Sequence, residues 1–182
     1  ISHYGVTKVK AEGEVLGIGG ISVRLATVFG TSPRMRMDLL VNEFVYKALT
    51  DKSIVLFEKK FVRNFIHIRD VALVFRKMIN QYEQWSGMVF NVGLSEANLT
   101  KEQLCEAIQE QVPSFQIFYN DNYEDPDKRD YIVSNALLES CGWKPRYTLE
   151  KGIEELIKTY TIMISNLSSN YRNDFPLGYG IK

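Results

Sequence analysis

The chain has 182 residues, of which 45% are hydrophobic and 24% are charged, a composition typical of a globular domain with a sizeable core. Its 22 basic and 22 acidic residues balance, so no large basic field is available to attract nucleic acid or an anionic membrane. Every apolar run is far shorter than a membrane span. Two cysteines without metal-ligand spacing, Cys105 and Cys141, are typical of free thiols in a reducing compartment, which favours the cytoplasm.

The first predicted element is a helix from Tyr4 to Leu16, which ends at the glycine cluster 17–20. Tyr4 and Lys8 are four residues apart, so the helix places them one turn apart on the same face. A protonated lysine beside a phenol favours the phenolate, so the tyrosine can exchange a proton near neutral pH. The pair therefore indicates acid/base chemistry, although this spacing alone is common in unrelated proteins.

A buried, parallel strand is predicted next, from Ile21 to Phe29, because both of its faces are apolar except at Arg24. The loop that follows it lies at the carboxyl end of the strand, where open α/β sheets bind ligands. An amphipathic helix is predicted to reach about Leu49, and a short strand covers Ile54 to Phe57.

The segment from Arg63 to Ala72 combines a strand with the start of a helix. Arg63 enters the strand and can offer a planar fork of donors to phosphate oxygens. Asp70 is predicted to be the N-cap of a helix from Val71 to about Gln81. His67 alternates with apolar neighbours, which favours a structural histidine with satisfied hydrogen bonds over a catalytic or metal-binding one.

Further elements follow in alternation. The sequence predicts a strand over 87–93, a helix over 101–111 with Thr100 and Gln103 as a capping box, a strand over 115–119, a short helix within 134–141, and a last helix from Leu149 to about Ile164 capped by Thr148. The residues from Ser165 onward show no periodicity and are predicted to form a tail.

Several of these segments, in this order, resemble the extended short-chain dehydrogenases/reductases, the NAD-dependent sugar-nucleotide epimerase/dehydratase family. The run from Tyr4 to Glu12 (YGVTKVKAE) resembles the family's catalytic helix. The others are Arg63 to Ala72 (RNFIHIRDVA), Phe90 to Gly93 (FNVG), Asp125 to Tyr131 (DPDKRDY) and Cys141 to Pro145 (CGWKP). Thr27 departs from the pattern, because it stands where many epimerases and dehydratases of the family have asparagine.

The resemblance implies an α/β fold: the last strands of a Rossmann-like, doubly wound parallel sheet, with a smaller C-terminal α/β substrate domain. Residues 1–33 would end the dinucleotide-binding domain, 34–164 would be mostly substrate-binding with 63–93 partly returning to the sheet, and 165–182 would be the tail. The family's glycine fingerprint follows a first strand, whereas the cluster at 17–20 precedes one. We therefore read the sequence as the C-terminal portion of a longer enzyme that needs an N-terminal nucleotide-binding part.

The resemblance also implies roles for individual residues. Tyr4 would be the acid/base and Lys8 its activator and ribose ligand. The expected ligands of NAD or NADP are Tyr4, Lys8, Thr27 and Val28, and those of a nucleotide diphosphate sugar are Thr27, Arg36, Asp38, Asn42, Val55, Phe57, Arg63 and Arg129. No metal is expected, and the family commonly forms a homodimer through the catalytic helix.

Three alternatives remain open. Arg36 could be plain surface charge instead of a diphosphate ligand. The reaction could be that of a sugar-nucleotide 4,6-dehydratase instead of an epimerase or reductase. The chain could also belong to a non-catalytic, sugar-nucleotide-binding regulatory subunit of the same fold, although the intact Tyr4 and Lys8 favour an enzyme.

Overall fold

The computed structural model describes residues 3–120 and 130–169, with only the backbone described for 166–169. Its helices are α1 (His3–Gly17), α2 (Leu40–Thr50), α3 (Ile68–Asn80), α4 (Tyr82–Trp85), α5 (Lys101–Gln111), α6 (Ala136–Ser140) and α7 (Leu149–Ser169), with a 3-10 turn at Ser95–Ala97. Its strands are β1 (Ser22–Leu25), β2 (Thr27–Phe29), β3 (Ser53–Leu56), β4 (Val62–His67), β5 (Val89–Val92), β6 (Asn98–Thr100) and β7 (Gln116–Tyr119). Within these two ranges, no helix is long and apolar enough to cross a membrane.

The strands pair mostly in parallel, as expected for an α/β fold. β1 pairs with β5, β2 with β4, and β3 with β7, each in parallel, whereas β6 runs antiparallel to β4. Each parallel pair is joined by a connection that contains at least one helix. The C-terminal ends of β2 and β4 therefore lie side by side, with Phe29 opposite His67.

The predicted strand from Ile21 to Phe29 is wrong as a single element, because the chain forms two short strands there. The partner changes at Ala26, whose N–H donates to the carbonyl of Val92 at 2.9 Å, so β1 follows β5 and β2 follows β4. The prediction of full burial is also wrong: Leu25 keeps 43% of its surface exposed.

The predicted N-cap at Asp70 is also wrong. α3 begins three residues before its predicted start, at Ile68, and its N-cap is His67, whose Nδ1 accepts from the N–H of Arg69 at 3.2 Å. Asp70 lies inside the first turn and is fully buried, where its carboxylate accepts from the N–H groups of Arg146 and Tyr147 at 3.0 to 3.2 Å. It joins α3 to the segment that precedes α7.

Elements fixed by local signals were predicted well. Thr100 and Gln103 form the capping box, with both reciprocal hydrogen bonds present. The predicted end of the last helix is wrong: α7 runs to Ser169, five residues beyond Ile164, so the first residues of the predicted tail are helical. Two short elements were not predicted, α4 and β6, which are only four and three residues long.

The core is one layer of buried side chains to which β2, β4, α2, α5 and α7 contribute, together with members from β5 and α6. Its largest fully buried side chains are Phe29, Phe65, Ile66, Phe90, Leu94, Leu104, Ile108, Phe115, Leu138, Ile153, Leu156 and Tyr160. This layer holds the carboxyl ends of β2 and β4 in place, and most of the predicted site residues lie on or beside these elements.

Candidate functional site

Tyr4 and Lys8 lie together on one solvent-exposed face of α1. The Lys8 Nζ is 5.4 Å from the centroid of the Tyr4 ring, and Tyr4 keeps 70% of its surface exposed. No residue of α1 is buried. The phenol and the ammonium are thus adjacent and open to a ligand, as the spacing predicted.

α1 is held to β1 by the carboxylate of Glu12, a residue for which no role was predicted. Glu12 accepts two hydrogen bonds from the Arg24 guanidinium, at 2.6 and 3.0 Å, and one from the Ser22 hydroxyl at 2.9 Å. These donors, Arg24 first, lower the pKa of Glu12. Glu12 is the last residue of the Tyr4 to Glu12 run, and Arg24 is the charged residue in the apolar strand. An acidic residue in the helix and a single basic residue in the next strand were the signal that could have predicted this ion pair.

The loop after β2 is fixed by side chains from α2 and α7. Asn42 is buried, and its Oδ1 accepts from the Gly30 N–H at 3.0 Å while its Nδ2 donates to the Arg36 carbonyl at 3.0 Å. The Thr31 N–H donates to Glu155 of α7 at 3.3 Å. Asn42 was predicted to bind substrate; the structure places its amide on backbone atoms of this loop.

Arg36 and Asp38 form an exposed ion pair ahead of α2. The two side chains make a bidentate contact with distances of 2.6 and 2.7 Å, and each keeps 64% of its surface exposed. The Arg36 guanidinium holds the pKa of Asp38 below its ordinary value. Both predicted substrate ligands remain reachable from solvent.

Arg63 is almost completely buried in β4, and the chain on either side of it is tied to a distant segment. Its guanidinium donates to the Val62 carbonyl at 3.0 Å and lies 5.7 Å from the Tyr131 ring. The Val62 N–H donates to Asp130 at 2.9 Å, and the Tyr131 N–H donates back to the Val62 carbonyl at 3.3 Å. Arg129, the second predicted diphosphate ligand, lies outside the described residues.

The pairing of β3 with β7 creates an exposed apolar face that includes a predicted ligand. Val55 lies opposite Phe118 in the register, and their exposed fractions are 47% and 52%. Beside them, the Lys59 Nζ is 4.0 Å from the centroid of the Tyr119 ring. Phe57 follows β3, and its carbonyl accepts from the Lys101 ammonium at 3.2 Å. Phe118 and Tyr119 were missed because only the pairing of strands brings them next to Val55.

His67 is buried under the loop after β2 and is only partly satisfied, which corrects the prediction of a fully satisfied histidine. Its Nε2 has no hydrogen-bond partner among the described residues and lies 3.7 Å from the Glu155 carboxylate. Its ring stacks on Tyr147 and meets the edge of Phe29. Burial is the main reason that the pKa of His67 is lowered.

The predicted site residues that the structure describes thus form three groups. Tyr4 and Lys8 form one group on α1; Thr27, Val28, Arg36, Asp38 and Asn42 lie on or beside β2 and its loop; Val55, Phe57 and Arg63 belong to β3 and β4 or follow them. Tyr4 and Lys8 form no hydrogen bond with any other predicted site residue of the described part. Within residues 3–120 and 130–169, no group of three or more His, Cys, Asp or Glu side chains could hold a metal ion.

The chain belongs to the NAD dependent epimerase/dehydratase family, because the family's sequence profile matches residues 1–93. This match covers the Tyr4 and Lys8 pair, β2, and the strand that carries Arg63 and His67.

Two curated relatives and one structure show how far the similarity extends. The chain is 32% identical over 104 residues to a UDP-D-apiose/UDP-D-xylose synthase of Arabidopsis thaliana, which covers 48% of this chain and 26% of that protein. It is 25% identical over 167 residues to a putative UDP-glucose 4-epimerase of Methanocaldococcus jannaschii, covering 86% and 52%. It superposes on the UDP-glucose 4-epimerase of Thermotoga maritima with a TM-score of 0.75 and 22% identity, covering 90% of this chain and 55% of that one. The chain therefore shares this Rossmann-like fold and spans about half the length, or less, of these proteins.

Proposed function

We propose that the protein is an NAD(P)-dependent oxidoreductase or epimerase that acts on a nucleotide-linked sugar, with Tyr4 as the acid/base and Lys8 as its activator. The observation that carries the proposal is the exposed pair itself. A phenol and an ammonium lie side by side on α1, in a chain that belongs to a family of NAD-dependent epimerases and dehydratases.

The chemistry of the pair fits an oxidation at a sugar hydroxyl. Tyr4, beside the Lys8 ammonium, would take the proton of the sugar hydroxyl as the carbon that bears this hydroxyl becomes a carbonyl. NAD or NADP, when bound, would supply the hydride acceptor and donor for that carbon. Tyr4 then donates the proton back when the carbonyl is reduced. The Lys8 ammonium is also a suitable donor to the ribose of NAD or NADP, since it is exposed beside the phenol.

A nucleotide diphosphate sugar suits the remaining predicted residues. Arg63 would bind the diphosphate, and Arg129 would reach it from the opposite side; this is supported by the hydrogen bonds that tie Asp130 and Tyr131 to Val62, the neighbour of Arg63. The exposed face formed by Val55 and Phe118 offers an apolar surface for the base. The names of the relatives make uridine the first base to test.

We also propose that the chain is the C-terminal portion of a longer cytoplasmic enzyme that dimerises through α1. α1 has no buried residue, and Val6 and Val9 keep 40% and 71% of their surfaces exposed. Another protein surface, either the nucleotide-binding part or a partner helix, would cover these apolar side chains.

The test is a turnover assay of the full-length protein with NAD or NADP and UDP-linked sugars, following both cofactor absorbance and the sugar product. Tyr4→Phe is expected to lower kcat by about 100- to 10,000-fold, the usual contribution of a general acid/base. Lys8→Met is expected to lower kcat and to weaken cofactor binding. Lys10→Met is the matched control, since Lys10 is an exposed lysine on the same helix.

The outcomes separate the alternatives. Full activity of Tyr4→Phe would refute the assignment. A 4-keto-6-deoxy product would identify a 4,6-dehydratase. Tight binding of the nucleotide sugar by the wild type without turnover would identify a regulatory subunit.

A further inference from the structure

A basic pocket lies between the C-terminal half of α3 and the segment that precedes α7. Its volume is about 320 Å³. Four cationic side chains line it: Arg76, Lys77, Lys144 and Arg146. The other lining residues are Leu73, Asn80, Gln81, Gly142 and Trp143, and none belongs to the predicted catalytic or substrate site. We propose that this basic pocket binds a small, multiply charged phosphate compound.

All of the charged residues that line the pocket are basic. No acidic residue lines it, although acidic and basic residues are equal in number over the whole chain. The side chains of Arg76, Lys144 and Arg146 form no ion pair with any residue in the ranges 3–120 and 130–169. Four like charges around one depression repel each other, and a bound anion would relieve that repulsion.

The end of a helix explains only one member of this cluster. A cation in the last turn of α3 interacts favourably with the negative end of the helix dipole, which accounts for Lys77. Lys144 and Arg146 come from a different segment and gain nothing from that dipole. Their convergence on the same depression is what points to a ligand.

Several contacts hold the walls of the pocket in place. The Lys77 ammonium donates to the Cys141 carbonyl at 3.1 Å and lies 5.6 Å from the Trp85 ring centroid. The buried carboxylate of Asp70 binds the N–H of Arg146. Trp143 is only 5% exposed and anchors the segment that carries Lys144. The charged ends are therefore presented from fixed backbone positions, which reduces the ordering that binding requires.

The size and the chemistry of the pocket define the ligand class. Its volume falls in the range of sites for small organic ligands, about 300 to 1,000 Å³, and exceeds what a single orthophosphate would fill. Two guanidinium groups can each bind a phosphate through parallel hydrogen bonds, and lysine binds one as a point charge. A polyphosphate, or a metabolite with two or more phosphate groups, matches this arrangement.

The test is a titration of the full-length protein with sodium tripolyphosphate at constant ionic strength. Binding is followed by the indole ¹H–¹⁵N signals of Trp143 and Trp85, assigned with Trp143→Phe and Trp85→Phe. Trp143 lines the pocket and Trp85 contacts Lys77, so both signals report locally. We expect a saturable shift, and at least a tenfold weaker affinity in Arg76→Gln/Lys144→Gln.

The matched control is Lys47→Gln/Lys158→Gln, which removes two positive charges from other helices and is expected to bind like the wild type. Absence of a saturable shift would overturn the proposal, because it means that the anion does not bind in this pocket. An equal loss of affinity in both double variants would also overturn it, because it means a general counterion effect. A response to citrate as strong as that to tripolyphosphate would overturn the phosphate assignment. The proposal is independent of turnover, because the pocket variant is expected to keep the kcat of the wild type.

Discussion

Asp70 offers a sharp test of how the segment before α7 is held. Its carboxylate is fully buried and accepts from two backbone N–H groups, those of Arg146 and Tyr147, at 3.0 to 3.2 Å. Hydrogen bonds to a charged group contribute about 1.5 to 3 kcal/mol each. Asp70→Ala removes both acceptors and leaves both donors without a partner, so we expect it to lower the free energy of unfolding by about 3 to 6 kcal/mol.

A graded series of substitutions separates the effect of the Asp70 charge from the effect of its side-chain size. Asp70→Asn keeps one oxygen but turns an NH₂ group toward the other donor, so we expect an intermediate loss of about 1 to 3 kcal/mol. Asp51→Asn is the control, since Asp51 is exposed and the expected change is within about 0.5 kcal/mol. Urea denaturation of the full-length protein measures each value from the midpoint at constant slope. A loss below about 1 kcal/mol for Asp70→Ala would show that these two hydrogen bonds do not hold the segment.

Three further predictions concern buried groups. The Tyr160 hydroxyl is buried without a partner among the described residues, so Tyr160→Phe is expected to raise the free energy of unfolding by about 1 kcal/mol. Tyr46→Phe, which removes the hydroxyl of the neighbouring ring, is the control and should change this free energy little. A loss of stability in Tyr160→Phe would mean that the hydroxyl has a partner. Burial lowers the pKa of His67 below its ordinary 6.5, among the charged groups Glu155, Arg69 and Asp70. The unfolded chain then binds a proton that the folded chain does not, so stability is complete above pH 6.5 and falls as the pH decreases below it, and this slope should be smaller in His67→Asn. Burial also raises the pKa of Cys105 to about 12, so iodoacetamide at pH 8 should modify the half-buried Cys141 first, as peptide mass mapping would show; early modification of Cys105 would contradict its burial.

The parts of the fold that depend on neighbours in sequence could be predicted. The capping box at Thr100 needs only residues three positions apart, and the adjacency of Tyr4 and Lys8 needs only one helical turn. A single sequence contains both the residues and the geometry in such cases, because the helix itself fixes the distance.

The parts of the fold that depend on contacts between distant segments could not be predicted from the sequence. The residues around His67 and Asp70 do not show which of them is the N-cap of α3. The carboxylate of Asp70 accepts instead from backbone N–H groups 76 and 77 residues away, which a local pattern cannot reveal. The break at Ala26 has the same origin, because it occurs where the chain exchanges one partner strand for another. Val55 and Phe118 likewise become neighbours only through the pairing of β3 with β7.

The hydrogen bonds that α7 makes with the loop after β2 bear on the order in which the protein matures. Thr31 is bound by Glu155 and Thr159, which follow it by 124 and 128 positions. A ribosome makes Tyr4 and Lys8 long before it makes those two residues, and domains fold as their segments emerge. The loop can form its last hydrogen bonds only late in translation, so a nascent chain that stops short of α7 would carry Tyr4 and Lys8 but lack these contacts.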